Sequence, residues 1–435
     1  MFCHIAVEDS PTVMCNDEEA IKHAGGHRRN GEEVHRRNSF TMVAQKCRPL
    51  FCRLRIPLGR IALMMVAAAL LSLPVWAQDV WQMQESGTTA GLRGSDSVDG
   101  TVAWASGTGG TVLRTVDGGA HWTQCAVPDG DKDGATLDFR GVQAFDANTA
   151  IIMSSGKGKL SRLYKTTNGC KSWKKIFVNP DKDGFWDAIY FGRRHDKSND
   201  GKVPWWLDGW LLGDPVNGIF TVFSTGNLGK DWLRQKNIGL RADPAQQGAF
   251  AASNSSFIAV QFGSGGSGGA FVYRVKSFEE CTDCSVEANE ALKQKDAWAG
   301  ESVPIGDHTA SSGIFSIAGR SEPRSHFSDD RVLIAVGGDY SNPNNRSDTA
   351  AFKLAIDQPW IASTSPPHGY RSTVQWSEDL KLWITAGTNG SDISRDDGKT
   401  WQPLDNGNWN ALSLPFVVGP KGRIGRLNAV AIPKP

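Results

Sequence analysis

The sequence predicts an all-β fold: a seven-bladed β-propeller of four-stranded antiparallel blades, closed by pairing the N- and C-terminal strands in the last blade. Three observations predict it. A short turn motif recurs along the chain, and a tryptophan ends each copy in a regular register. One tryptophan-led strand, at Trp81, has no hairpin of its own before it.

The clearest copy of the motif is Ser394-Arg395-Asp396-Asp397-Gly398-Lys399-Thr400-Trp401. Thr115 to Trp122 is a near match that keeps Asp117 and Gly119. Thr166 to Trp173 has Asn168 for Asp and Cys170 for Gly, and Thr225 to Trp232 has Asn227 for Asp and keeps Gly229. Side chains of Ser/Thr and Asp/Asn hydrogen-bond turn amides, and glycine takes the positive φ of a sharp reversal. The tryptophan then drops into the apolar layer beneath the turn and anchors the next strand.

Trp122, Trp173, Trp232 and Trp401 set a period of about 50 residues. Trp298 and Trp360 stand where two decayed copies belong, and Trp81 precedes Trp122 by the same interval as Trp360 precedes Trp401. That makes seven anchors. In phase with them, Gly91–Gly94, Asp138–Gly141, Phe185–Ala188, Ala249–Ala252, Gly313–Ser316, Gly369–Ser372 and Asn408–Ala411 each open an apolar inner strand. A second strand follows, such as Val102–Ala105 or Leu333–Val336. Glycine turns come next, at Gly107–Gly110, Gly213–Pro215, Gly337–Asp339 and Gly387–Gly390. The last unit, from Trp409, reaches a third strand near Ile424 to Leu427 and lacks a fourth. Trp81 to Gln84 supplies it, which closes the ring and removes exposed sheet edges.

The 435 residues carry 47 Lys+Arg against 46 Asp+Glu, a balance that gives no reason to expect nucleic acid as a partner. Residues 1–52 read as a polar extension, which an alternative start at Met42 would shorten. Residues 53–77 read as a signal peptide. Arg53, Arg55 and Arg60 precede an apolar run from Ile61 to Leu71, and Pro74-Val75-Trp76-Ala77 gives a small-residue exit before Gln78. The apolar run is short for a membrane anchor, which needs about 20 residues. Residues 78–435 then form one propeller, soluble after cleavage and periplasmic or secreted.

Residues 276–305 break the period with a charged insertion carrying Cys281 and Cys284. A small surface disulfide is the reading preferred over a redox pair or a zinc site, because no βαβ context and no second ligand pair accompany them. Cys125 and Cys170 lie at adjacent hairpins and could pair, but sequence alone does not decide it. No His cluster after the leader has metal spacing, and no cofactor motif is found. The glycine-rich Phe262–Gly269 lacks the Lys-Ser/Thr ending of a phosphate loop.

The turn motif resembles the BNR or Asp-box repeat of sialidases, sortilin-type receptors and many bacterial propellers. Leu137–Asp146, Leu212–Gly218, Gly248–Asn254, Val336–Tyr340 and Gly369–Ser372 narrow this likeness. Together they resemble exported bacterial propellers related to the photosystem II stability and assembly factor. The resemblance implies a docking or assembly factor without cofactor or catalysis, peripheral to a membrane complex. Blades four and five depart from it, since both lack the turn motif.

Arg93, Arg140 and Arg371 hold equivalent positions at the starts of inner strands, so their guanidinium groups are expected to converge at one mouth of the channel. Such a cluster suits a carboxylate or phosphate. Asp187 starts another inner strand, and Asp214, Asp339 and Tyr340 are expected in turns ringing the same opening. The competing reading is that each Arg only ties blades together. The expected function is an exported, non-catalytic propeller that docks a protein partner on this face. The alternative is a sialidase-like glycoside hydrolase on the same scaffold, with a carbohydrate ligand and with Tyr340 or Tyr370 and Asp339 in the catalytic roles. A redox protein using Cys281 and Cys284 is a third reading.

Overall fold

The computed structural model describes residues 79–130, 132–194, 205–235, 239–258, 261–275, 298–321 and 331–434. The N-terminal extension, the leader, Cys281 and Cys284 lie outside the described residues. Seven four-stranded antiparallel sheets follow one another along the chain, each a simple meander from the innermost strand outward. Blade one is Leu92–Ser97, Ala103–Gly107, Val112–Thr115 and Thr123–Gln124; blade two is Phe139–Ala144, Ala150–Ser154, Arg162–Thr166 and Lys174–Val178. Blade three is Trp186–Arg194, Trp205–Val216, Ile219–Thr225 and Leu233–Arg234; blade four is Phe257–Ile258, Gln261–Ser264, Phe271–Val275 and Trp298–Ser302. Blade five is Ser312–Ser321, Arg331–Asp339, Ala350–Lys353 and Ile361–Ala362; blade six is Thr373–Ser377, Leu382–Gly387, Gly390–Ser394 and Gln402–Asp405. Blade seven joins Ala411–Ser413, Phe416–Val418 and Ile424–Leu427 to Trp81–Gln84 from the other end of the chain. Trp81 pairs with Leu427 and Gln84 with Ile424, so the ring closes as the orphan strand predicts.

Each of the four intact turn motifs makes the same bonds. The hydroxyl of Thr115, Thr166, Thr225 or Ser394 donates to Oδ1 two residues on, at 2.8 to 3.0 Å. The same hydroxyl accepts the amide of Gly119, Cys170, Gly229 or Gly398 at 2.9 to 3.1 Å. Two consecutive residues sit in the left-handed region at each turn, for example Asp397 and Gly398 at φ 59° and 81°. Cys170 adopts φ 63° without being glycine, and it is bonded to Cys125 of blade one.

The core is not central. Seven clusters of buried apolar side chains lie at the seven blade-to-blade interfaces. All seven anchor tryptophans pack there against the preceding blade: Trp122 in the cluster with Phe416, Trp401 in the cluster with Ile334, and Trp81 in the cluster with Ile384. The anchor therefore glues blades together as well as seating its own strand, and burying an indole at each joint contributes a few kcal/mol, roughly 3 by area. The disulfide adds a covalent tie between blades one and two.

Two expected glycine turns are corrected. Gly213–Pro215 lies within the long second strand of blade three, at a register shift, and the reversal comes at Asn217 and Gly218. Gly337–Asp339 closes the second strand of blade five in regular pairing. In both cases the ladder continues through the glycines because the partner strand runs alongside them. Two inner strands also start later than expected, at Phe257 in blade four and Thr373 in blade six.

Candidate functional site

A cleft of about 520 Å³ opens where the inner strands begin. It is lined by one to four residues from every blade, and in four blades a shared backbone irregularity places one of them. In blade one the pairing steps from Leu92 to Gly94, leaving Arg93 as the extra residue of a β-bulge. The same step skips Arg140 in blade two, Asp187 in blade three and Phe315 in blade five. An extra residue breaks the alternation of the strand and re-aims its side chain, here into the cleft. Gly94 and Gly141 follow two of these bulges because a Cβ there would crowd a neighbouring segment: Arg140 O of blade two at 3.1 Å and Asn254 Oδ1, from the segment before blade four, at 2.8 Å.

Arg93 and Arg140 share Asp138. Arg140 Nε donates to Asp138 Oδ2 at 2.8 Å, and its Nη1 donates to the Ala251 carbonyl at 3.1 Å, which fixes it across the channel from blade four. Arg93 Nε stands 3.4 Å from Asp138 Oδ1 without a hydrogen bond. Its side chain is 35% exposed, so its guanidinium fork is available from the cleft. Burial lowers the Arg93 pKa and Asp138 opposes this, but an arginine remains a cation throughout.

Arg371 does not join them. It is fully buried, and its guanidinium turns into blade six. Nε donates to Asp392 Oδ2 at 2.6 Å, and Nη1 donates to Asn389 Oδ1 and the Tyr370 carbonyl. His368 Nδ1 lies within 2.7 Å of Asp392 Oδ1 and completes the network. Burial pushes the Asp392 carboxyl up, but His368 and Arg371 together hold it below the usual range. The expected three-way convergence is thus corrected to two arginines. Regular pairing in blade six begins only at Thr373, without the bulge step, and Tyr370 lines the cleft in place of Arg371.

On another side of the cleft are Asp187 and Asp214. Asp187 is 1% exposed, and its Oδ2 has no hydrogen-bond partner among the described residues. Burial raises its carboxyl well above the usual range, Asp214 adds to this, and Arg140 and the Asp214 amide oppose it. Asp214 Oδ1 accepts the Ala249 amide at 3.0 Å, yet burial still raises this carboxyl to about 6. Asp339 lies apart from the lining residues. Its oxygens accept from Ser341 at 2.7 and 2.8 Å and from Thr309 at 3.1 Å, and the hydroxyls outweigh burial to keep its pKa low.

Aromatic rings form the remaining wall. Phe250 stacks on Phe315 with centroids 4.1 Å apart, and Tyr370 meets Phe315 edge-on at 4.8 Å. Tyr340, 55% exposed, stands edge-on to both phenylalanines at 6.5 and 6.0 Å. Sequence reasoning missed Asp138, Phe250 and Phe315 as site residues. The signal was present for the last, since Phe315 holds the same repeat position as Arg93 and Arg140.

No protein-family model and no curated protein matches the chain. Solved structures do. YCF48 from Cyanidioschyzon merolae is 17% identical, with 80% of this chain and 99% of that one covered and a TM-score of 0.50. A structure of YCF48 bound to D1 peptide is 18% identical over 82% and 99% of the two chains, with a TM-score of 0.48. The GH74 xyloglucanase from Xanthomonas campestris is 15% identical over 73% and 58%, with a TM-score of 0.32. At such identities the likeness is one of architecture. The resemblance to photosystem II assembly-factor propellers seen in the repeats is met in the seven-bladed fold.

Proposed function

We propose that the chain is an exported, non-catalytic propeller that docks a protein partner in this cleft. The observation that carries the reading is Arg93: a guanidinium fork 3.4 Å from Asp138 with no hydrogen bond among the described residues, beside an Arg140 held in place by Asp138 and Ala251. A fork of this kind recognises a carboxylate by two parallel bonds, and the aromatic wall gives apolar side chains a place to pack. The volume suits a few side chains of an extended segment. Export rests on the leader pattern of residues 53–77. The test is retention of peptides from an array by the purified chain. Acidic peptides should be held by the wild type and lost by Arg93→Ala with Arg140→Ala. Equal retention by the double variant overturns the reading.

A hydrolase reading has one observation in its favour, the carboxyl pair Asp187 and Asp214, of which burial favours the protonated form of the first, the form a general acid needs. Tyr370 suits the nucleophile role poorly, because burial raises its phenol far above neutrality. Asp339 is engaged by the hydroxyls of Thr309 and Ser341. Release of product from a panel of sialosides and other glycosides, abolished by Asp187→Asn, would establish this reading; no release ends it.

A further inference from the structure

The cleft has a half that the two arginines do not explain. Asp214 is fixed from both sides by backbone: its amide donates to the Phe185 carbonyl at 2.9 Å, and its Oδ1 accepts the Ala249 amide at 3.0 Å. These two bonds tie Asp214 to the backbone of Phe185 and of Ala249, next to Phe250, and both phenylalanines are partly exposed and line the same cleft. Asp187 also lines the cleft and contributes an acceptor oxygen with no partner among the described residues. The nearby cation of the chain is Arg140, whose guanidinium is already bound to Asp138 and Ala251. Neither carboxyl has an ion pair among the described residues. Two acidic groups, one of them an orphaned buried acceptor, framed by aromatic rings and short of a cation, are the chemistry that holds a guanidinium.

We propose that Asp214 and Asp187, flanked by Phe185 and Phe250, form a subsite for an arginine side chain of the docked partner. The planar guanidinium presents donors to the carboxyl oxygens while its faces lie against the rings. A lysine ammonium, a compact and strongly hydrated charge, uses the rings less well. At pH 7 Asp214 is ionised and supplies the charge. The proposal rests on the docking reading and adds to it: the bound segment carries an arginine near the carboxylate that Arg93 takes.

The test titrates the full chain with n-propylguanidinium, n-propylammonium and n-propanol by calorimetry at pH 7. n-Propylguanidinium should bind the wild type at least ~10-fold tighter than n-propanol, and Asp214→Asn should remove that difference. Asp187→Asn removes a carboxyl that can ionise beside a bound cation and puts an amide donor in its place, and should weaken the cation several-fold. Equal binding of cation and alcohol, or no loss in both Asp variants, overturns the proposal, and a preference for n-propylammonium replaces arginine by lysine and overturns the assignment to guanidinium. The peptide array separates the two readings. Arg93-dependent retention of acidic peptides without enrichment in arginine sinks the subsite and spares the docking site. Guanidinium binding with no retained peptide sinks the docking of a protein segment and upholds the subsite.

Discussion

Asp214→Asn should make the protein more stable at neutral pH, by an amount that can be worked from the structure. Burial raises this carboxyl from 3.8 to about 6, in spite of the hydrogen bond from Ala249. The sign follows from linkage. A folded-state pKa above the unfolded one means that the folded chain prefers the proton. The stability tied to that proton is complete below pH 3.8, falls as pH rises towards about 6, and is then constant. A shift of roughly two units, at about 1.4 kcal/mol each, gives about 3 kcal/mol lost across that window. Asparagine is uncharged at every pH and keeps an oxygen for the Ala249 amide. The two proteins should therefore unfold alike near pH 4 and diverge by about 3 kcal/mol above pH 6.5, with the variant more stable. Urea unfolding followed by tryptophan fluorescence at half-unit steps of pH measures this difference directly. Other carboxylates contribute their own slopes, Asp117 at about 2 among them, and these cancel in the comparison, except that Asp187 loses the neighbouring charge that helps to raise it. A pH-independent difference, or a variant that is less stable at pH 7, would refute the assignment of Asp214 as a buried, destabilised carboxylate.

Arg371→Ala should lower stability by about 3 to 5 kcal/mol, because it strands Asp392 in the interior without its cation. Arg93→Ala should change stability by less than about 1 kcal/mol and act on peptide retention alone; thermal melts of the two variants check the contrast. Reduction of the bond between Cys125 and Cys170, or its replacement by two serines, opens a loop spanning a sequence separation of 45 and should cost up to about 4 kcal/mol by chain entropy. Melting with and without reductant measures it. Gly398→Ala places a Cβ 2.8 Å from Ile334 Cδ1 at a φ of 81°, and should cost about 1 to 3 kcal/mol in denaturant midpoint, whereas Lys399→Ala should be neutral.

The architecture was legible because the signals that specify it are local. Thr115, Asp117 and Gly119 bond one another within one turn, so the motif can be recognised wherever it recurs, and Trp122 marks where the next strand starts. Ring closure was legible from a single surplus strand at Trp81. The site was legible only in part, because its geometry depends on pairing between strands. Arg93 and Arg371 look equivalent in sequence, and both precede a small residue. What separates them is a bulge in one blade, absent from the other, and three partners for Arg371 that lie elsewhere: Asp392, Asn389 and His368. A one-residue change of register moves a side chain from the cleft to the interior. The same dependence turned the expected turns at Asp214 and Asp339 into strand.

The distribution of the core explains why the residues at the cleft are free to differ from blade to blade. Apolar packing is confined to the seven joints between blades, and each joint is held by a tryptophan from an outer strand. The third position of each inner strand carries none of that load where a bulge turns it into the axial opening. Around the ring that position reads Arg93, Arg140, Asp187, Ala251, Phe315, Arg371 and Asn410. A position under packing constraint would hold similar apolar residues in every copy, as the preceding one does with Leu92, Phe139, Trp186, Phe250, Ile314, Tyr370 and Trp409. The contrast between two adjacent positions, one uniformly apolar and one chemically diverse, separates scaffold from site in most blades; in blades four and six the apolar position, Phe250 or Tyr370, lines the cleft as well. It also divides the site: cations from blades one and two, carboxyls from blade three, rings from blades four to six. A ligand matched to that opening has to be asymmetric, with an anionic end, an apolar body and a cationic end, and an extended peptide segment is the ordinary molecule of that description.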